Sequence, residues 1–247
     1  MRCFLRSAAT AAALALSAAL GACGDAPTLP TSFAREAGGR TWVAVAEPKG
    51  LPEARTWLPY VASASAERVR ALQAAAAAAR RAGRLDEAME TDAAARMTAA
   101  ALLEGAPPEA RVRSALAAVT EWETRAAARL EAASYPALDS VARIVALRRG
   151  EAETALAAGD TRGAALRLAE GAEAARTMSP VAVALRLVED AERRIDGNAS
   201  PSPDLRRARL LLRLSREAMA TGDQTRAMKR AWYALQLIDA EETRRAR

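Results

Sequence analysis

From about Pro52 to the C terminus the sequence is built almost wholly from alanine, leucine, arginine and glutamate, and Gly or Pro interrupts it at intervals. The first group has the highest helical propensity. Gly and Pro end helices through backbone entropy and a missing N–H. The breaks fall at Gly83, at Gly105 with Pro107-Pro108, at Tyr135-Pro136, at Gly159-Asp160, at Ser179-Pro180, across Asp196 to Pro203, and at Gly222-Asp223. They leave room for about eight helices between residues 52 and 247. Ser179-Pro180 and Ser202-Pro203 read as an N-cap followed by a first-turn proline. Apolar residues recur at helical spacing, as in Val181, Leu185, Val188 and Ile195, or Leu205, Leu212 and Met219. Aromatic residues make up only 4% of the chain and strand-like alternation is nearly absent. An all-α fold of antiparallel helical hairpins follows. Ahead of it, residues 23–51 carry "APTLPTSF", Gly38-Gly39 and "EPKGLP", which predict an irregular tether. Within the tether, "TWVAVA" (Thr41 to Ala46) is extended but lacks a recognisable partner strand. It is expected to dock as irregular backbone, with Trp42 as its anchor.

Three stretches of the helical region resemble one another: "AGRLDEAMETDAAARMTA" from Ala82, "AGDTRGAALRLAEGAEAA" from Ala158 and "TGDQTRAMKRAWYALQLI" from Thr221. Each places a glycine, an alanine five residues later and a small residue seven further on. The sets are Gly83, Ala88 and Ala95; Gly159, Ala164 and Gly171; and Gly222, Ala227 and Ala234. The glycine ends one helix, and the small residues lie two turns apart on one face of the next, where they permit close packing on the preceding helix. The pattern resembles the tetratricopeptide repeat, whose second helix opens after Gly-Asp with small residues at this spacing. Met228, Leu235 and Leu237 stand where that family places aliphatic residues. The Trp/Leu/Gly/Tyr signature of the family's first helix is missing, and Arg84 replaces the Asp in the first copy. Gly83 and Gly159 are 76 residues apart, and Gly159 and Gly222 are 63 apart, whereas the family period is about 34. The resemblance implies a stacked TPR-like array; an irregular helical bundle is the alternative.

The N-terminal segment has a different character. Met1 to Arg6 carries two arginines and no acid, and Ser7 to Ala22 is uncharged and rich in Ala and Leu. That is the pattern of a secretory signal, and the apolar run is too short and too alanine-rich to span a bilayer. It ends in Leu20-Gly21-Ala22-Cys23, which resembles a bacterial lipobox. The resemblance implies that a signal peptidase reads Leu20, Gly21 and Ala22, that residues 1–22 are removed, and that Cys23 takes a diacylglycerol thioether. Acyl chains on Cys23 would anchor the chain stably, since two chains exceed the marginal binding of one. Gly24 favours outer-membrane over inner-membrane delivery, with the body facing the periplasm. Asn198-Ala199-Ser200 matches a glycosylation sequon that carries no weight in such a protein.

The composition also excludes chemistry. The chain has no histidine, and Cys3 would leave with the signal, so Ser-His-Asp triads, His-based metal sites and disulfides are ruled out. No Gly-rich phosphate loop occurs. Paired carboxylates exist at Asp86/Glu90, Glu121/Glu123, Glu189/Glu192 and Glu241/Glu242. Glu189/Glu192 share a helix face, yet Arg186, Arg193 and Arg194 surround them, which predicts a solvated salt-bridge surface. No catalytic residue, metal or cofactor is expected. Trp57, Trp122 and Trp232 fill core space in an alanine-rich body, while Trp232 or Tyr233, beside Lys229 and Arg230, is the candidate for a partner groove. Residues 203–247 hold eleven Lys and Arg against six Asp and Glu. Nucleic acid is not an expected partner. The expectation is a membrane-anchored envelope lipoprotein whose body is a protein–protein interaction scaffold for an envelope protein. The alternatives are an accessory protein binding anionic lipid or lipopolysaccharide through the basic C-terminal helices, and an enzyme acting on peptidoglycan.

Overall fold

The protein is described by a computed structural model, which covers residues 32–37, 40–196 and 202–246. Residues 1–22, expected to be a signal, with their Leu20-Gly21-Ala22 motif, Cys23, expected to be lipidated, and the 198–200 sequon lie outside these residues. The fold is all-α apart from one small hairpin. Strand β1 (Ser32–Ala37) pairs antiparallel with β2 (Arg40–Val45), in a register running from Ser32 opposite Val45 to Ala37 opposite Arg40. A single turn, α1 (Ala54–Trp57), and a 3-10 turn over Leu58–Tyr60 lead into the long helices. These are α2 (Ser63–Arg81), α3 (Leu85–Ala101), α4 (Glu109–Ala132) and α5 (Pro136–Ala157). They continue as α6 (Thr161–Arg176), α7 (Pro180–Asp196), α8 (Pro203–Ala220) and α9 (Gln224–Arg245).

The N-terminal region differs from the sequence expectation. The tether predicted over 23–51 does not extend through its described part, because residues 40–51 belong to the folded body. Val43, Ala44, Val45 and Leu51 are buried, and the Val45 N–H donates to the Met178 carbonyl at 2.8 Å. The missing strand partner is "SFAREA", Ser32–Ala37, whose residues lack the β-branched alternation that marks a strand. Backbone pairing with β2 defines it instead. Trp42 is not the main anchor: it is half-buried, and Val43 and Val45 make the core contact.

Three helix pairs form tight antiparallel hairpins, α2–α3, α5–α6 and α8–α9, and their turns are identical in hydrogen bonding. In the first, the Arg84 N–H reaches the Ala79 carbonyl and the Gly83 N–H reaches Arg80; the second uses Asp160 to Ala155 and Gly159 to Leu156, and the third Asp223 to Ala218 and Gly222 to Met219. This is the Schellman termination, with glycine at the left-handed position; Gly83, Gly159 and Gly222 have φ of 75, 76 and 79°. Asp160 and Asp223 then cap the following helices by accepting from the Gly163 and Arg226 amides at 2.8 and 3.0 Å. Arg84 offers no such acceptor and forms an ion pair with Glu87 instead.

A third helix accompanies each hairpin. Helix α4 packs on both α5 and α6, and α7 packs on α8 and more extensively on α9. The single turn α1 lies against α3 in the corresponding place. The unit is therefore a helix followed by a hairpin, which accounts for glycine spacings of 76 and 63 residues that no two-helix period fits. Joining the first two units, α3 packs on α6. One contiguous core runs from Val43 to Met178, with Trp57, Trp122, Leu138 and Leu168 at its centre. From α7 onward Val183, Leu187, Val188, Ile195, Leu205, Leu212, Met228, Leu235 and Ile238 are buried. The hairpin touches this last unit directly, β1 beside α9 and β2 beside α7.

Candidate interaction surface

The small residues that define the repeat all face inward. Ala88, Ala95, Ala164, Gly171, Ala227 and Ala234 are buried on α3, α6 and α9. At Gly171 the approach is close, since a Cβ there would lie 3.3 Å from the Arg148 Cβ of α5. Helices lined by alanine approach until longer side chains meet at the seam edges, and there arginine–carboxylate pairs form. Arg148 contacts Glu151 and Glu170 between α5 and α6, and Arg149 meets Glu123 of α4 at 2.6 Å. Arg194 of α7 reaches Asp239 and Glu242 of α9, both at 2.5 Å, and these hydrogen bonds, working against its burial, hold its guanidinium well above the usual arginine value. Burial pushes the Glu123 carboxyl above the ordinary carboxylate value even though Arg149 draws it down.

A more enclosed network fastens the N-terminal segment. Arg176, at the end of α6 and 7% exposed, donates to Pro52 O at 2.8 Å, Glu53 at 3.0 Å, Glu47 at 3.2 Å and Glu173 at 2.7 Å. Arg96 of α3 grips the same Glu173 with two hydrogen bonds of 2.5 and 2.9 Å. Burial opposes the Arg96 charge, yet Glu173 holds it above its ordinary value. No sequence signal pointed to this cluster, whose members are up to 129 residues apart.

The aromatic pair expected at a groove is divided between core and surface. Trp232 is buried with Trp57 and Trp122, whereas Tyr233 is 49% exposed. Consecutive helical residues point about 100° apart, and the two rings meet edge to face at 4.8 Å. Tyr233 lines a groove of about 300 Å³ between α8 and α9 with Arg207, Leu211, Gln236 and Leu237. Leu210, 45% exposed, lies beside Leu211. Arg207 forms no ion pair among the described residues.

The paired carboxylates do not converge into one site. Glu192 is held by Arg216 of α8 with two hydrogen bonds, of 3.0 and 2.6 Å, rather than by its neighbours Arg193 and Arg194. Glu241 is buried and paired with Arg244 and Arg245, and Glu121 with Arg125. Asp86 and Glu90 of α3 and Glu189 of α7 line an open cleft of about 320 Å³, with Met89, Leu185 and Arg186 between them. Among the described residues no group of three or more Cys, Asp or Glu is placed to hold a metal ion. None of their helices is long and apolar enough to cross a membrane. Comparison with protein-family models, with curated proteins and with solved structures gave no match to this chain.

Proposed function

We propose that this protein is a lipid-anchored lipoprotein of the cell envelope whose helical body is a scaffold for a partner protein bound along the α8–α9 groove. The observation that carries the reading is the groove itself: the exposed Tyr233 and the half-buried Leu211 and Leu237 beside the Arg207 guanidinium, which forms no ion pair among the described residues. Aromatic residues and arginine dominate binding energy at protein interfaces. The surrounding residues 203–247, with eleven Lys and Arg against six Asp and Glu, suit a partner segment that is apolar on one side and acidic on the other. The turn-and-small-residue repeat supports the same reading, because stacked helical units present extended surfaces to partners. The resemblance to the tetratricopeptide repeat would then lie in the hairpin, with the extra helix of each unit as a departure. Anchoring is proposed through acyl chains on Cys23, with the outer membrane as destination.

Two experiments test the proposal. Cys23→Ala should abolish incorporation of labelled palmitate and release the protein from the membrane; unchanged labelling would refute the anchor. A photoreactive residue at position 233, in the full chain within its own envelope, should crosslink to a protein, and Arg207→Glu should abolish that product. The same residue at position 147 of α5 should not form it. Crosslinks from position 233 to lipid alone would instead establish binding to anionic lipid, which the basic C-terminal helices favour as the second reading.

A further inference from the structure

Two shallow clefts adjoin along one face of α7. The first, about 320 Å³, opens between α3 and the first half of α7, over an apolar floor of Met89, Ala182 and Leu185. Asp86, Glu90 and Glu189 rim it, and none of the three forms an ion pair among the described residues. Arg186 also lines this cleft but donates to the Thr177 carbonyl. The second, about 390 Å³, opens between the end of α7 and the middle of α8, where Arg209, Arg213 and Arg216 stand against Glu192 and Asp196. Arg216 holds Glu192 at 2.6 Å, Arg213 comes no nearer to Glu217 than 3.9 Å, and Arg209 forms no ion pair among the described residues. Helical spacing puts both clefts on one side of α7, because Arg186, Glu189, Arg193 and Asp196 recur every three or four residues as a single stripe. Arg193, its side chain 76% exposed and 3.5 Å from Asp190, adds a further cation to the second half of that stripe. Arg216 stands where the clefts meet: hydrogen bonds with Glu192 hold its guanidinium above the usual arginine value against its burial, and Asp86 and Glu189 of the first cleft add to that. The face therefore runs from acidic at the start of α7 to basic at its end.

We propose that this face joins two copies of the chain into a two-fold dimer, the acidic cleft of each receiving Arg209 and Arg213 of the other. A two-fold axis through the middle of the stripe sets the two α7 helices antiparallel, so each acidic half meets a basic half and both contacts form at once. Because the complementary patches adjoin on one surface, the contact is isologous and closes at two copies; patches on opposite sides would build a fibre. Arginine suits the cleft, since its methylenes can lie on Met89 and Leu185 while its planar fork meets the rim carboxylates. A second copy fits better than an unrelated partner. The occupant of such a face must carry the reverse order of charge over the same length, and the chain itself supplies that under a two-fold. The 17 residues of α7 extend about 25 Å, which restricts the interface to the small end of specific contacts, about 1,200 Å² in total. An association of that size carried by exposed charges weakens with salt. The proposed partner groove lies outside this contact, because Arg207 and Arg209, two residues apart, point to opposite sides of α8; the dimer does not depend on it.

The test is sedimentation velocity of the full chain in detergent at low ionic strength, where the chain should be dimeric at about 100 μM. Association should weaken at least about tenfold in about 0.5 M salt. Asp86→Lys/Glu90→Lys makes both halves of the face basic, and Arg209→Glu/Arg213→Glu makes both acidic; all four residues are exposed, so the circular dichroism should be unchanged. Each double variant alone should associate at least about tenfold more weakly than the wild type. An equimolar mixture of the two should form a heterodimer, because every basic half again faces an acidic one, and the chain carrying all four substitutions should dimerise like the wild type. Should lysine at position 86 unfold α3 by opposing its positive first turn, Glu90→Lys/Glu189→Lys takes its place. A wild type that stays monomeric at about 100 μM, a dimer insensitive to either double variant, a mixture that stays monomeric, or species that grow beyond two copies would each overturn the proposal.

Discussion

Replacing the turn glycines with alanine isolates a backbone effect, because a Cβ built at Gly83, Gly159 or Gly222 meets nothing within 4 Å. What changes is the strain of φ near 75–79°, a left-handed conformation that costs an L-residue about 1–2 kcal/mol. Alanine also narrows the unfolded ensemble, which offsets the strain by about 0.4–1 kcal/mol. The net expectation is a loss of about 1 kcal/mol at each site. Because the three turns share one hydrogen-bond pattern, the three losses should be equal. With a urea m-value of about 2 kcal/mol/M, each substitution lowers the unfolding midpoint by about 0.5 M without changing the slope. The sites lie in separate hairpins, so the triple variant should lose about 3 kcal/mol, a large share of the roughly 5–15 kcal/mol that stabilises a typical domain. Urea titration followed by far-ultraviolet circular dichroism measures all four proteins. A neutral substitution at any one turn, or a spread between turns wider than about 1 kcal/mol, would refute the equivalence of the three units.

Three further outcomes are expected. Arg176→Met removes the donor of the Pro52 carbonyl and the cation facing Glu47 and Glu53, and leaves Glu173 to Arg96 alone; it should cost about 1–3 kcal/mol, seen in thermal unfolding together with faster proteolysis between residues 40 and 53. Gly171→Val forces a branched side chain into the 3.3 Å approach to the Arg148 Cβ and should destabilise by about 1–3 kcal/mol, while Gly171→Ala should be close to neutral because gained helical propensity offsets the tight contact. The third concerns Glu123. A carboxyl held above its ordinary value by burial favours the protonated form in the folded state. Its contribution is fully present below the ordinary carboxylate value and is lost as pH rises through the higher folded value. Glu123→Gln should therefore flatten the fall in stability as pH rises above the ordinary carboxylate value of 4.5, measured by urea titration at a series of pH values on both sides of it; an unchanged slope would disprove the assignment.

What could be read from the sequence was local. Gly83, Gly159, Gly222, Pro136, Pro180 and Pro203 act on their own backbone, so they placed the helix ends to within a residue or two. Ser202 accepts from the Leu205 amide at 3.2 Å and Ser179 from Ala182 at 3.3 Å, the caps expected before a first-turn proline. The inward set from Ala88 to Ala234 was legible for the same reason, since helical spacing alone assigns a face. What escaped depends on distant parts of the chain meeting. Ser32–Ala37 is a strand because Arg40–Val45 lies beside it, not because of its composition. The third helix of each unit could not be assigned, because nothing local in α4 or α7 says which partner covers it. The divergence of Trp232 and Tyr233 follows from helix geometry, but which of the two turns inward depends on α7 and α8. Arg186 looked like one member of a salt-bridge surface; it lines the cleft with Asp86, Glu90 and Glu189, yet it hydrogen-bonds the Thr177 carbonyl and forms no ion pair among the described residues.

The attachment of residues 40–53 also bears on how the molecule carries load. Arg176 and the Val45–Met178 bond fix this segment at the junction of α6 and α7, and β1 and β2 lie directly on α9 and α7. Tension entering from the N-terminal side therefore passes straight from the hairpin into the last unit, which carries the Tyr233 groove. The α2–α3 hairpin, though next in the chain, joins that path at its edge, through the Arg96–Glu173 pair beside Arg176 and the packing of α1 on α3, so pulling at one end loads the middle and far end of the body most directly.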